Sequence, residues 1–195
     1  MDWSNAPTAL RACLLVVSLA CIVQWLAPAS VLIAQPLRCT ADGNTPGTLP
    51  PPVEEMRDAI LAAVHSGDIE DLRPALEWNE LRPHIADEPV DDPIAYWKRL
   101  SGDGEGREIL AILGEILDCG PATLAIGNDV ENNLVYVWPA LAEADLSKLT
   151  PQQEVALYRF VSPARAKAMR ESNRWQWWRL AIGADGTWHA FHKAE

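Results

Sequence analysis

The stretch RWQWWRLAIGADGTWHAFHK, residues 174–193, constrains the fold more than any other part of the chain. Two runs rich in aromatic and aliphatic residues flank Ala184-Asp185-Gly186, the pattern of a β-hairpin with strands near 175–182 and 187–192. Side chains alternate across a strand, so a regular turn sorts the hairpin into two faces. One face carries Trp178, Leu180, Ile182, His189 and Phe191 and reads as core. The other carries Trp175, Trp177, Arg179, Ala181, Trp188, Ala190 and His192. It mixes flat aromatics with a cation and an imidazole. Such a face suits a shallow groove for a sugar, a peptide or another ligand that is part apolar and part polar. Trp177, Arg179, Trp188 and His192 are therefore the candidate ligand-binding residues. The competing reading has the linker or a helix cover this face, with Arg179 stacked on a tryptophan.

A sheet with an apolar face needs helices to cover it, and the preceding sequence supplies them. Val53, Met56, Ile60, Ala63 and Val64 follow helical spacing, with Pro52 at the first turn and Gly67 at the end. Asp68 caps a second segment carrying Ile69, Leu72 and Leu76, which Pro74 keeps short or bent. Asp92-Pro93 opens a third helix, whose apolar face is Ile94, Trp97 and Leu100. The strongest stripe is Ile109, Ile112, Leu113, Ile116 and Leu117, ending near Cys119-Gly120. ATLAIG and NLVYVWP read as strands around an Asn-rich turn within residues 122–138. Thr150-Pro151-Gln152-Gln153 is a capping box, and Ser162-Pro163 starts one more helix. The expected fold is α+β: helices from about 53 to 119 and 151 to 171 packed on a small antiparallel sheet that includes the C-terminal hairpin.

The amino end is of another kind. Residues 13–34, CLLVVSLACIVQWLAPASVLIA, contain no charge, and Arg11 precedes them. That is the layout of a secretory signal. Cleavage fits after Ala27-Pro28-Ala29 or after Ala34; an uncleaved anchor and a lipoprotein cysteine at Cys21 are the rival readings. All of these export the rest of the chain. Its alanine-rich composition suggests a bacterial periplasm or cell exterior. The expected organisation is residues 1–34 as signal or anchor, 35–52 as a Pro/Gly-rich linker, and 53–195 as one domain. The exported part keeps Cys39 and Cys119, and a disulfide between them suits an oxidising compartment.

Several function classes lose support. With 27 acidic against 16 basic residues the formal charge is -11, which disfavours nucleic acid and anionic lipid as partners. Membrane contact is expected only through an uncleaved N-terminal segment. Gly102-Asp103-Gly104-Glu105-Gly106 resembles a phosphate cradle, but its acids repel phosphate and no Lys-Ser/Thr follows. His189 and His192, three apart on a strand, point to opposite faces unless the strand bulges. Neither a zinc motif nor a nucleophile elbow is present, so no metal, cofactor or catalytic residue is assigned. Asp87, Glu88, Asp91 and Asp92 read as a solvated acidic loop.

VYVWPALAEADLSKLTPQQEVALYRFVSP and RLAIGADGTWHAF resemble parts of a group of secreted bacterial proteins of unknown function. That group carries a Y-V-W-P-Y-F run where this chain has Tyr136-Val137-Trp138-Pro139-Ala140-Leu141. The resemblance covers roughly residues 53–195, and implies export and a shared fold but no activity. The sequence thus points to a non-enzymatic periplasmic or envelope-associated module for a sugar, peptide or protein partner. The alternative is a small cell-envelope hydrolase using a histidine or acidic residue in the helix–sheet cleft. That version needs His189 or His192 within hydrogen-bond reach of a carboxylate inside a pocket.

Overall fold

A computed structural model of the chain describes residues 48–79, 82–126 and 133–194. Residues 1–34, where a signal or anchor is expected, most of the expected linker and Cys39 lie outside the described residues. The fold is α+β; among the described residues, six α-helices pack with a four-stranded antiparallel sheet.

Helix α1 spans Pro51–Ser66, so the two prolines start the helix two residues before the expected linker boundary. Both prolines are tolerated there because the first turn has no use for their N–H groups. Gly67, at φ 72°, ends it in the left-handed conformation. Pro74 splits the next segment into a 3-10 turn, Ile69–Leu72, and a short helix α2, Arg73–Glu77. Helix α3 is Pro93–Leu100, where the Asp92 carboxylate accepts from the Ile94 and Ala95 N–H groups at 2.9 and 3.3 Å. Helix α4 is Arg107–Asp118.

The glycine-rich start of α4 is structural. The Asp103 carboxylate accepts from Glu105, Gly106 and Arg107 N–H groups and from the Ser101 hydroxyl. It thus fills the place an anion would take at this helix end. Gly106 sits at φ 86°, and a Cβ there would come within 2.4 Å of Ile69 Cδ1. A side chain at this position is excluded twice, by conformation and by space.

The strands are β1, Ala122–Ala125; β2, Leu134–Trp138; β3, Trp178–Gly183; and β4, Trp188–Lys193. They form an antiparallel meander in the order β1-β2-β3-β4. Helices α5, Pro151–Phe160, and α6, Pro163–Ser172, lie between β2 and β3 in the chain. The capping box of α5 is formed in full: the Gln153 N–H donates to Thr150 Oγ1 and the Thr150 N–H to Gln153 Oε1.

The helices cover one face of the sheet. Val53, Ile60, Ile109, Leu113 and Ile116 pack with Trp97, Trp138, Leu180, Ile182, Trp188 and Phe191 in one buried cluster. Each such side chain taken out of water contributes roughly 1.5–3 kcal/mol. The opposite face holds a smaller cluster of Val135, Val137 and Ala181, with Leu124, Ala142 and Ala190 packed against it.

The hairpin departs from the expected alternation at one place. Leu180 pairs with Phe191 and Ala181 with Ala190, but Ile182 pairs with Trp188. His189 is the extra residue of a β-bulge. Trp188 therefore turns to the core face, where it has 0% exposure and stacks on Trp97 at 5.9 Å. His189, expected in the core, is exposed. The assignments of Trp188 to the ligand face and of His189 to the core are both corrected by that single residue. Trp175 is corrected as well. It precedes β3, is buried, sits edge-on to Phe160, and donates its indole N–H to the Trp178 carbonyl at 3.1 Å.

Candidate functional site

Of the four candidate ligand residues, three stay together. Arg179 and His192 are cross-strand partners on the face away from the helices. Trp177, just before β3, is half-buried at the end of that face. Trp188 leaves the group for the core. A residue from outside the hairpin takes its place. His84 joins β4 through one parallel bridge, donating its N–H to the His189 carbonyl at 2.8 Å and accepting from the Phe191 N–H at 2.9 Å. The bridge places His84 beside Ala190, and its ring meets the His192 ring edge-on at 4.9 Å. The two histidines are far apart in sequence, and only the fold joins them.

Charge at this face is partly compensated. Arg179 reaches Glu143 at 3.6 Å, while its Nε is buried without a hydrogen-bond partner. Burial lowers the pKa of His192, and the nearby His84 and Arg179 lower it further, against the pull of Asp87. A ring held neutral can accept as well as donate a hydrogen bond.

Trp177 and His192 also line a cleft of about 410 Å³ between the β4 edge, the His84–Asp87 segment and helices α3 and α4. Tyr96, Leu100, Ile112 and Lys193 complete its apolar and basic walls, and Asp87 and Glu108 add two carboxylates. Ile112 belongs to the sequence stripe of α4, yet it is only partly buried, because it faces this cleft and not the core. The Trp177 ring lies under two cations, Arg165 Cζ at 5.7 Å and Lys193 Nζ at 5.5 Å from its centroid. Tyr96 carries Arg99 at 5.6 Å. A second hollow, of about 520 Å³, lies along residues 82–91 and reaches His189.

The geometry that a hydrolase would need is a histidine held by a carboxylate in a pocket. Among the described residues, the one ion-pair approach of a histidine to a carboxylate is His84 Nε2 to Asp87 Oδ1 at 3.9 Å, beyond hydrogen-bond reach and solvent-exposed. His189 and His192 have no such carboxylate among the described residues. Among the described residues, no cluster of three or more potential ligands could hold a metal ion, and no helix is long and apolar enough to cross a membrane. Cys119 is fully buried just after α4, and its expected partner Cys39 lies outside the described residues. No family model, curated protein or solved structure matches the chain.

Proposed function

We propose that this chain is an exported bacterial protein, periplasmic or envelope-associated, whose folded domain is a non-enzymatic binding module. Its ligand sits in the cleft beside Trp177 and His192. The observation that carries this reading is the half-buried Trp177 ring, which lines a cleft and has Arg165 and Lys193 at 5.7 and 5.5 Å from its centroid. An aromatic plane with polar groups around it binds ligands that are part apolar and part polar. Export is supported by the uncharged segment 13–34 behind Arg11 and by the resemblance of the Tyr136–Pro139 run to the secreted group, from which Ala140 and Leu141 depart.

Melting and tryptophan emission of the purified mature protein, measured against envelope sugars and peptides, test the binding reading. A ligand should raise the melting temperature by mass action and quench the emission. Trp177→Ala should abolish both effects. Failure of every such ligand to move either signal would remove the reading.

Export carries its own test. A disulfide between Cys39 and buried Cys119 would close a loop of about 80 residues, worth roughly 4 kcal/mol on the chain-entropy model. Protein made in an oxidising compartment should then show no alkylatable thiol at either position by mass spectrometry. Two free thiols there would count against both the bond and the periplasm.

A further inference from the structure

The distribution of cations in this acidic chain is uneven. Arg57, Arg73, Lys98, Arg107, Lys148, Arg159, Lys167, Arg170 and Arg179 each reach a carboxylate within 4.0 Å. Arg165 and Lys193 form no ion pair among the described residues, although the chain holds 27 acidic residues. Both sit over the ring of Trp177, which lines the cleft. Arg99, which also lacks a carboxylate partner among the described residues, lies over Tyr96 in the same cleft wall.

The backbone adds a donor at the same spot. The Ala194 N–H donates to the Trp177 carbonyl at 3.0 Å, which makes Trp177 and Ala194 a hydrogen-bonded pair. Such pairs alternate along an antiparallel ladder, so the N–H of Lys193 points away from β3. The Phe191 N–H, two residues earlier, does the same and is taken by His84. Among the described residues no backbone bond reaches the N–H of Lys193, which is left at the open edge of β4.

We infer that the cleft binds a carboxylate-bearing ligand, with the anion at Lys193 and an apolar or ring face on Trp177, whose ring Arg165 also overlies. This inference rests on the binding reading above and names its ligand class. Two cations converge on one ring, the N–H of Lys193 faces the open edge, and among the described residues no carboxylate pairs with either cation. A bound carboxylate would supply the missing charge and accept from the N–H. The acids of the cleft lie elsewhere: the Glu108 carboxylate accepts from the Gly102 N–H at 2.6 Å, and Asp87 faces His84. The net charge of -11 repels anions at long range, so binding depends on these local contacts and weakens as salt rises. The carboxylate can come from the end of a peptide or from an acidic sugar.

The test is a fluorescence titration of the mature protein with five probes: acetyl-trialanine with a free carboxylate, its C-terminal amide, N-acetylmuramic acid, its methyl ester, and neutral N-acetylglucosamine. The acid forms should bind at least tenfold more tightly than the amide and the ester. Lys193→Gln should weaken the acid several-fold and Arg165→Gln less, and both should leave the melting temperature in place. The tighter of the two acids identifies the source. Equal binding of acid and neutral forms, with no effect of Lys193→Gln, would overturn the carboxylate inference and leave the binding reading standing. Silence of the Trp177 emission with every probe would overturn both.

Discussion

The two faces of the C-terminal hairpin are built from similar residues and end in opposite situations. On the helix side, Trp178, Leu180, Ile182, Trp188 and Phe191 are all buried, with Trp178 stacked on Phe191 at 4.7 Å and Trp188 on Trp97. On the other side, the apolar part shrinks to Val135, Val137 and Ala181, and Arg179, His192 and Trp177 fill the rest. Both faces are rich in tryptophan in the sequence. What separates them is what each ring packs on. The core rings meet other aromatics and aliphatics, whereas Trp177 packs on the rim of the core under two cations and beside a cleft. Aromatic content alone does not distinguish a core from a binding face; the neighbours of each ring do.

Trp188→Ala probes this comparison with the largest expected effect. Removing a fully buried tryptophan should cost about 3–5 kcal/mol and leave any ligand-induced quenching of Trp177 intact in the folded fraction. Trp177→Ala should do the reverse, with a small stability loss from two exposed cation–π contacts of about 0.5–1 kcal/mol each. Chemical denaturation of the two variants side by side reads the contrast. Equal losses would erase the distinction between the faces.

The bulge predicts a smaller effect. Deleting His189 would restore a regular ladder in which Ile182 still faces Trp188 and Ala181 still faces Ala190. Trp188 should therefore stay buried, and the cost should be about 1 kcal/mol, that of rearranging one edge hydrogen bond to His84. Deleting Ala190 instead also leaves one residue between Trp188 and Phe191, so it keeps the same register and places His189 opposite Ala181. Both deletion variants should therefore fold with Trp188 buried, and loss of the folded circular-dichroism signal in either would count against the bulge.

What could be read from the sequence was local. The Asp92 cap, the Thr150–Gln153 box, the stripe of α4 and the positions of Gly67 and Pro74 are fixed by residues within one or two turns of each other. The bulge was not legible, because it depends on how β4 is held by strand β3 on one side and His84 on the other. One trace of it is present. A Cβ at Gly183 would lie 2.6 Å from His189 Nε2, so this glycine makes room for the displaced imidazole. The site was half legible. Trp177, Arg179 and His192 come from the hairpin itself, whereas Tyr96, Arg165 and His84 arrive from other elements that no spacing rule connects to it.

The smallest expected effect concerns acid, and it sharpens the comparison by titrating one face alone. His192 has its pKa lowered first by burial, then by His84 and Arg179, with Asp87 and the Lys193 backbone opposing. Its folded value therefore lies below the unfolded value of about 6.5. Between those values the unfolded chain holds more protons than the folded one, so stability falls as pH drops through that window and is unaffected by this group at higher pH. The carboxylates act lower. Asp145, at about 2 beside Ser147 and Lys148, and Asp92, Asp103 and Glu70 contribute stability that is lost only as pH falls below their unfolded values of about 4. Melting temperatures from pH 7.5 to 5 should therefore show a shallow decline belonging to the outer face. His192→Gln should flatten it. His84→Gln should only reduce it, because burial, the larger cause, remains. An unchanged slope in His192→Gln would mean that the outer face does not respond to protons in this range.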